Sequence, residues 1–146
     1  MGDPRPLILG GAMTPFGRLC DGTHWRDLVR RAGTEALRDA GLEAGDIDAV
    51  VVASESDFLS LQVNPGPVVL DELALTGKPV VRVEGGGASG GLALREGRAQ
   101  IMAGMAKRVL VVGFEMAAGH LDRRDVQLIY SLSFDAEVEG LAGATA

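Results

Sequence analysis

The sequence predicts an α/β protein in which a parallel-type sheet carries helices on both faces. Two observations lead to this class. Short runs of valine and isoleucine, which suit strands buried on both faces, alternate with longer segments whose apolar residues recur every three or four positions. This strand–helix alternation is typical of parallel strands joined by right-handed crossovers.

Four strands and three helices are expected in strict alternation, beginning and ending with a strand. The predicted strands are residues 7–9, 47–53, 79–83 and 108–114. The predicted helices are residues 23–40, 65–75 and 89–105, the first with Thr23 as its N-cap and Gly41 just after its end. Residues after Met116 mix charged and apolar side chains without a clear period, so no element is predicted there.

Composition narrows the possible functions. The 146 residues suit one domain, and 47% hydrophobic against 23% charged residues allow a packed core. A net charge of -6 with scattered basic residues argues against a nucleic-acid partner. The single cysteine, Cys20, excludes an internal disulfide and a cysteine-based zinc site, and we interpret it as a small apolar residue. With no visible signal peptide or membrane-spanning run, the cytoplasm is the expected location.

A glycine-rich elbow joins the third predicted strand to the third predicted helix. Its sequence, residues 83–91, is VEGGGASGG. Glycine permits positive φ and close backbone approach, and a helix N-terminus attracts a carbonyl oxygen or an anion. Gly85, Gly87 and Gly90 also match a dinucleotide fingerprint, but after the third strand rather than the first. The elbow does not match a P-loop, because it lacks the P-loop lysine. A glycine-packed turn without chemistry remains an alternative.

Four other side chains are weighed for chemistry. His120 follows the fourth predicted strand, where α/β proteins place ligand groups. Tyr130, the only tyrosine, could act as an acid or base, although packing is the simpler interpretation. Glu84 and Glu115 both fall where strands end, and Glu84 is expected to hold the elbow or a subunit contact rather than to abstract a proton.

Several separate motifs resemble the thiolase superfamily. They are RVExxxASGG at residues 82–91, VLVVGFEM at 109–116 and GAMTPFG at 11–17. Residues 131–134 (SLSF) and 143–146 (GATA) resemble its sterol-carrier-type branch. The resemblance implies two similar α/β halves with a loop domain inserted in the first. It therefore divides this chain into an N-terminal core, residues 1–118, and the start of the loop domain, residues 119–146.

The resemblance also implies a site. The family's nucleophilic cysteine falls at Gly87, which has no thiol, while Gly85, Gly86, Ala88, Ser89 and Gly90 are expected to border the substrate. A coenzyme A thioester is the implied substrate, with no bound cofactor and no metal. A cysteine-free elbow resembles thiolase-fold aldolases, which cleave β-hydroxyacyl-CoA without needing a thiol. The base would lie in a part of the family's fold that this sequence does not include.

Two other functions stay open: acyl transfer by a fragment of an acetyl-CoA acyltransferase, and a non-catalytic subunit. The resemblance implies a homodimer, or a hetero-oligomer with a chain that completes the fold. For the aldolase interpretation, that chain would be a zinc-containing, OB-like subunit. The expected dimer contact is the end of the third predicted strand with the residue after it, namely Val81, Arg82, Val83 and Glu84.

Overall fold

The computed structural model describes residues 5–17, 22–116 and 121–131. In these ranges the strands are β1 (Ala49–Ala53), β2 (Val80–Val83) and β3 (Val109–Gly113). The helices are α1 (Trp25–Ala40), α2 (Asp57–Ser60), α3 (Pro65–Glu72), α4 (Ser89–Met102) and α5 (Arg123–Ser131). Short 3-10 turns occupy Ala44–Asp46 and Gly86–Ala88.

The three strands form a parallel sheet with β1 in the centre, flanked by β2 on one side and β3 on the other. Val51 of β1 lies opposite both Val81 and Val111. Every residue of β1 is buried, as its unbroken apolar run predicts for a strand covered on both faces. The predicted α/β class with a parallel sheet is therefore confirmed.

Helices cover both faces because side chains alternate along β1. Val50 and Val52 point into a core with Trp25 and Val29 of α1 and Val69 of α3. Val51 and Ala53 point to the other face, where Ala93 of α4 packs against them. The sheet thus forms the middle of three layers, and the carboxyl ends of its strands meet along one edge.

Helix α1 begins at Trp25 because His24, rather than the predicted Thr23, acts as the N-cap. The His24 Nδ1 accepts a hydrogen bond from the Arg26 backbone N–H at 3.3 Å, and the Asp27 carboxylate accepts one from the His24 N–H at 3.0 Å. The helix ends where predicted, with Gly41 in the left-handed conformation at φ 65°.

The strand predicted at residues 7–9 is wrong, since the structure has no strand there. Leu7, Ile8 and Leu9 are 77%, 86% and 55% exposed. The described residues provide no neighbouring strand that pairs with this segment. An apolar run alone does not create a strand, because a strand's backbone groups need a partner.

Two helices appear where none was predicted, α2 in the connection after β1 and α5 near the end of the described chain. Ser56 caps α2 by accepting a hydrogen bond from the Phe58 N–H at 3.2 Å. The division at residues 118 and 119 stays a prediction, since α5 is the only element described beyond it. No helix within the described ranges is long and apolar enough to cross a bilayer.

Candidate active site

The glycine-rich elbow lies between the carboxyl end of β2 and the first turn of α4, as predicted. Ser89 is the buried residue that holds it together. The Ser89 hydroxyl accepts a hydrogen bond from the Gly85 N–H at 3.0 Å and donates one to the Gly86 carbonyl at 2.7 Å. The Ala88 N–H donates to the Gly85 carbonyl at 3.1 Å. These bonds close a compact turn at the start of the helix.

The elbow glycines differ in whether their positions could accommodate a side chain. Gly86 has φ 56°, which side chains with a Cβ rarely adopt. A Cβ at Gly85 would lie 2.3 Å from Leu92 Cδ1. Gly87 and Gly90, by contrast, have no positive φ and no heavy atom within 4 Å of an added Cβ. A side chain at position 87 would therefore project into open space at the tip of the elbow.

Arg82 ties the ends of β1 and β2 together beside the elbow. Its guanidinium donates to Ser54 Oγ at 3.3 Å and to Glu84 Oε2 at 2.7 Å. The same group forms an ion pair with Asp57 at the start of α2. The Arg82 side chain is 22% exposed, and that of Glu84 is 53% exposed. Glu84 therefore forms an ion pair with Arg82 beside the elbow, and its role in holding the elbow or a subunit contact stays a prediction.

A second carboxylate lies at the end of β3. Glu115 Oε2 accepts a hydrogen bond from the Glu55 N–H at 2.7 Å. Its Oε1 is buried and has no partner among the described residues. Burial raises the pKa of Glu115 above its ordinary value, and the nearby Glu55 carboxylate raises it further. An acid that holds its proton more strongly than usual thus lies at the same sheet edge as the elbow.

A cavity of about 400 Å³ opens beside Glu115, between the loop at residues 12–17, α1 and the end of β3. Phe114, one of its lining residues, stacks on Trp25 with ring centroids 4.5 Å apart. Its walls include Met13, Phe16 and Val112. None of its lining residues belongs to the elbow, so in the described chain the apolar cavity and the elbow are separate features of one edge.

The other predicted residues fall in different places. Val81, at 41% exposure, lies in β2, and no described strand pairs with the outer side of β2. The dimer contact at Val81, Arg82, Val83 and Glu84 stays a prediction. His120 and Cys20 lie outside the described residues, and Tyr130 belongs to α5 without a described side-chain position. Within the described ranges, no cluster of three or more His, Cys, Asp and Glu side chains could hold a metal ion.

Sequence reasoning did not find the partners of Arg82 and Glu115. Ser54 and Asp57 meet Arg82 from positions 28 and 25 residues earlier in the chain. Glu55 meets Glu115 across a separation of 60 residues. Polar residues clustered directly after β1 were the available indication, because parallel strands bring their carboxyl ends to the same edge.

Comparison with known proteins identifies the family that this chain matches. The family model described as "Thiolase, N-terminal domain" matches residues 7–140. An acetyl-CoA acetyltransferase of Methanothermobacter thermautotrophicus is 37% identical over 116 residues, which is 79% of this chain and 30% of that protein. A mycobacterial beta-ketoacyl-[acyl-carrier-protein] synthase III of Mycobacterium avium is 40% identical over 98 residues, covering 67% of this chain and 29% of that protein.

A solved structure agrees with these relatives. The acetyl-CoA acetyltransferase from Syntrophomonas wolfei matches with a TM-score of 0.63 and 28% identity, over 71% of this chain and 27% of that one. The chain thus spans about 30% of the length of the proteins it resembles. The match to the family model covers the described sheet, the elbow and α5. The chain belongs to the thiolase superfamily and corresponds to its N-terminal domain.

Proposed function

We propose that this chain is the elbow-bearing part of a thiolase-fold protein that cleaves a carbon–carbon bond in β-hydroxyacyl-CoA thioesters. The observation that carries the proposal is Gly87, which occupies the tip of the elbow without a nucleophile. In the family resemblance this is the position of the cysteine that accepts the acyl group. Without a thiol there, a covalent acyl-enzyme cannot form at the elbow, and chemistry that needs no such intermediate is favoured.

The geometry of the elbow supports a binding role. Gly87 and Gly90 leave open space where side chains would otherwise stand. The N-terminal end of α4 begins at Ser89, and the partial positive charge of a helix N-terminus stabilises a nearby oxyanion. We infer that Gly85, Gly86, Ala88 and Gly90 border the thioester, and that Ser89 contributes by fixing the turn through its two hydrogen bonds.

The proposed reaction is a retro-aldol cleavage. A base removes the proton of the β-hydroxyl, and the oxygen's electrons form the carbonyl of the departing product. The bond between Cα and Cβ breaks, and its electron pair passes to Cα and the thioester oxygen as an enolate. An oxyanion site at the elbow stabilises that enolate, and a proton delivered to Cα completes the acyl-CoA product. No oxidant, metal or thiol enters this balance.

The base belongs, in this proposal, to polypeptide that completes the fold. The chain spans about 30% of its relatives' length, so a complementary region or a partner chain is needed to enclose the substrate. The sterol-carrier-type branch and a zinc-containing, OB-like partner are the finer parts of the same proposal. The open edge of β2, with Val81 exposed, remains the proposed contact between two copies.

The test starts by co-expressing the chain with its genomic neighbours and purifying what associates with it. The complex is incubated with a β-hydroxyacyl-CoA, and products are separated by liquid chromatography with mass detection. We expect equal amounts of a free carbonyl compound and a shortened acyl-CoA. The matched variant is Gly87→Cys, which has room for its side chain and is expected to become acylated and to react with iodoacetamide. Transfer of an acyl group to free CoA by the unaltered complex, without carbonyl release, would overturn the proposal.

Acyl transfer is the second candidate function. It is favoured by the names of the relatives, two of which are acetyl-CoA acetyltransferases. It needs another nucleophile, since Gly87 cannot supply one. The same assay separates the two reactions, because transfer conserves the acyl skeleton whereas retro-aldol cleavage divides it.

A further inference from the structure

Helix α1 is capped by a histidine, whereas most helices are capped by Ser, Thr, Asp or Asn. The His24 Nδ1 accepts a hydrogen bond from the Arg26 N–H at 3.3 Å. The Asp27 carboxylate accepts one from the His24 N–H at 3.0 Å. Together these bonds form a reciprocal capping box, in which His24 holds the position that serine or threonine usually takes.

The ring nitrogen supplies an acceptor that the backbone does not. The N–H groups of Asp27 and Leu28 both donate to the His24 carbonyl, at 2.9 and 3.3 Å. The Arg26 N–H lies too early in the helix to have a carbonyl of a preceding turn, and the His24 ring accepts its hydrogen bond instead. A ring nitrogen accepts a hydrogen bond only when it carries no proton. The cap therefore requires a neutral imidazole whose single proton is on Nε2.

A second proton on the ring removes this cap. An imidazolium carries a donor on both nitrogens and has no acceptor left, so the bond from the Arg26 N–H cannot form. Its positive charge would also lie at the positive end of the helix dipole. Histidine is the side chain whose charge ordinarily changes between about pH 5 and 8. A serine, threonine or asparagine in the same position would keep its acceptor across that range.

The charged groups around this helix end come from three elements. Arg26 and Asp27 belong to α1 itself, and the Asp27 carboxylate also accepts a hydrogen bond from Arg30 at 3.1 Å. Glu72 of α3 binds the same Arg30 guanidinium, at 2.9 Å from its Nε. Glu115 lies at the end of β3. Asp27 is the carboxylate already bonded within this turn, so a protonated ring would donate to Asp27 instead of accepting from Arg26.

The capped turn is connected to the cavity beside Glu115 through Trp25. Trp25 is 1% exposed and packs in the core with Val50 and Val52 of β1. Its ring stacks on Phe114, with the two ring planes inclined by 17°. Phe114 and Glu115 both line the cavity. A change at the cap therefore reaches the wall of the cavity through one stacked aromatic pair.

We propose that His24 is a pH-sensitive cap that couples the order of the cavity wall to proton concentration. When the ring takes up a proton, it stops accepting from the Arg26 N–H, the first turn of α1 frays, and the stack of Trp25 on Phe114 weakens. The cavity wall is therefore better ordered at neutral than at mildly acid pH. This inference is independent of the proposed reaction, because it requires neither a substrate nor a partner chain.

Trp25 is the only tryptophan in the sequence, so its fluorescence reports on this turn directly. The purified chain is titrated from about pH 8 to about pH 5 at constant ionic strength, and we expect a reversible change in emission with one midpoint in that range. His24→Asn keeps a capping acceptor but takes up no proton there, so the change should vanish. His120→Asn is the matched control, because the sequence has only these two histidines, and it should keep the change. An unaltered protein whose emission does not titrate, or a His24→Asn variant that titrates equally, overturns the proposal.

A protonated imidazole beside an indole can quench its emission without any change in the helix, so amide hydrogen exchange by NMR follows the backbone itself. The exchange rate of the Arg26 amide is compared between the unaltered protein and His24→Asn at the same pH, with circular dichroism confirming that both are folded. On going from neutral to mildly acid pH, the ratio of the two rates should rise about fivefold, the factor expected for a lost N-cap. A ratio that stays constant with pH contradicts the proposal, even where the fluorescence titrates. None of these measurements involves catalysis, so their failure is distinct from failure of the carbon–carbon cleavage assay.

Discussion

Ser89→Ala is expected to loosen the elbow without unfolding the protein. The Ser89 hydroxyl makes one hydrogen bond with the Gly85 N–H and one with the Gly86 carbonyl, at 3.0 and 2.7 Å. A hydrogen bond contributes about 0.5 to 1.5 kcal/mol net, and a buried partner left unsatisfied costs more. Because Gly85 and Gly86 are exposed and water can replace the hydroxyl, we take about 0.5 to 1 kcal/mol for each bond. The free energy of unfolding should fall by about 1 to 2 kcal/mol.

Urea unfolding at 25 °C followed by circular dichroism measures this change. With a slope of about 2 kcal/mol per molar urea, the midpoint should fall by roughly 0.5 to 1 M at an unchanged slope. Gly90→Ala is the matched control, since its added Cβ meets no atom within 4 Å in the same first turn of α4. It should stabilise by about 0.4 to 1 kcal/mol. A midpoint for Ser89→Ala equal to that of the unaltered protein would refute the assignment of Ser89 as the residue that closes the elbow.

Three further changes test other parts of the structure. Burial raises the pKa of Glu115, so its ionised form makes an unfavourable contribution to the stability of the folded protein. That contribution is absent below the ordinary pKa and grows as the pH rises through the raised one. Glu115→Gln should therefore raise Tm at pH 7 and make no difference near pH 4. The N–H groups of Arg108 and Lys107 lower the pKa of Asp48, so its stabilising contribution is present above the ordinary pKa and lost as the pH falls through the lowered one. Asp48→Asn should therefore lower Tm at pH 7, and the difference from the unaltered protein should shrink as the pH falls below the ordinary pKa. A constant difference at every pH would contradict this. Gly41→Ala places a Cβ at φ 65° and should cost about 1 kcal/mol in urea unfolding, while Gly45→Ala, a site with open space and no positive φ, should cost far less.

The sheet could be predicted because each of its strands is indicated by residues that are adjacent in the sequence. The valine run of β1 is apolar at every position, which indicates a strand covered on both faces, and it is fully buried. The end of α1 could also be predicted, because the helix terminates in a left-handed residue and Gly41 adopts that conformation readily. The elbow after β2 was found by its glycines and lies where the pattern placed it. The roles assigned to its residues in binding remain predictions.

The first predicted strand shows where local pattern fails. Residues 7–9 have the composition of a strand, but a strand exists only when a neighbour satisfies its backbone groups. In the described chain that neighbour is missing, and the side chains of Leu7, Ile8 and Leu9 are exposed. The apolar residues at positions 7–9 therefore indicate that this segment needs a pairing strand beside it, which the described residues do not provide.

By itself, the sequence determined the alternation of strands and helices, the placement of the glycine elbow and the absence of a thiol at Gly87, because each depends on residues adjacent in the chain. Only the tertiary structure decided that Arg82 joins Ser54 and Asp57, and that the half-buried Glu115 meets the Glu55 backbone. Those groups lie tens of residues apart, and the parallel sheet brings them together by collecting the carboxyl ends of its strands on one edge. The groove of about 590 Å³ between residues 6–11 and β3 is likewise a tertiary feature, since its walls come from the N-terminal segment, two helices and β3, which are distant from one another in the sequence.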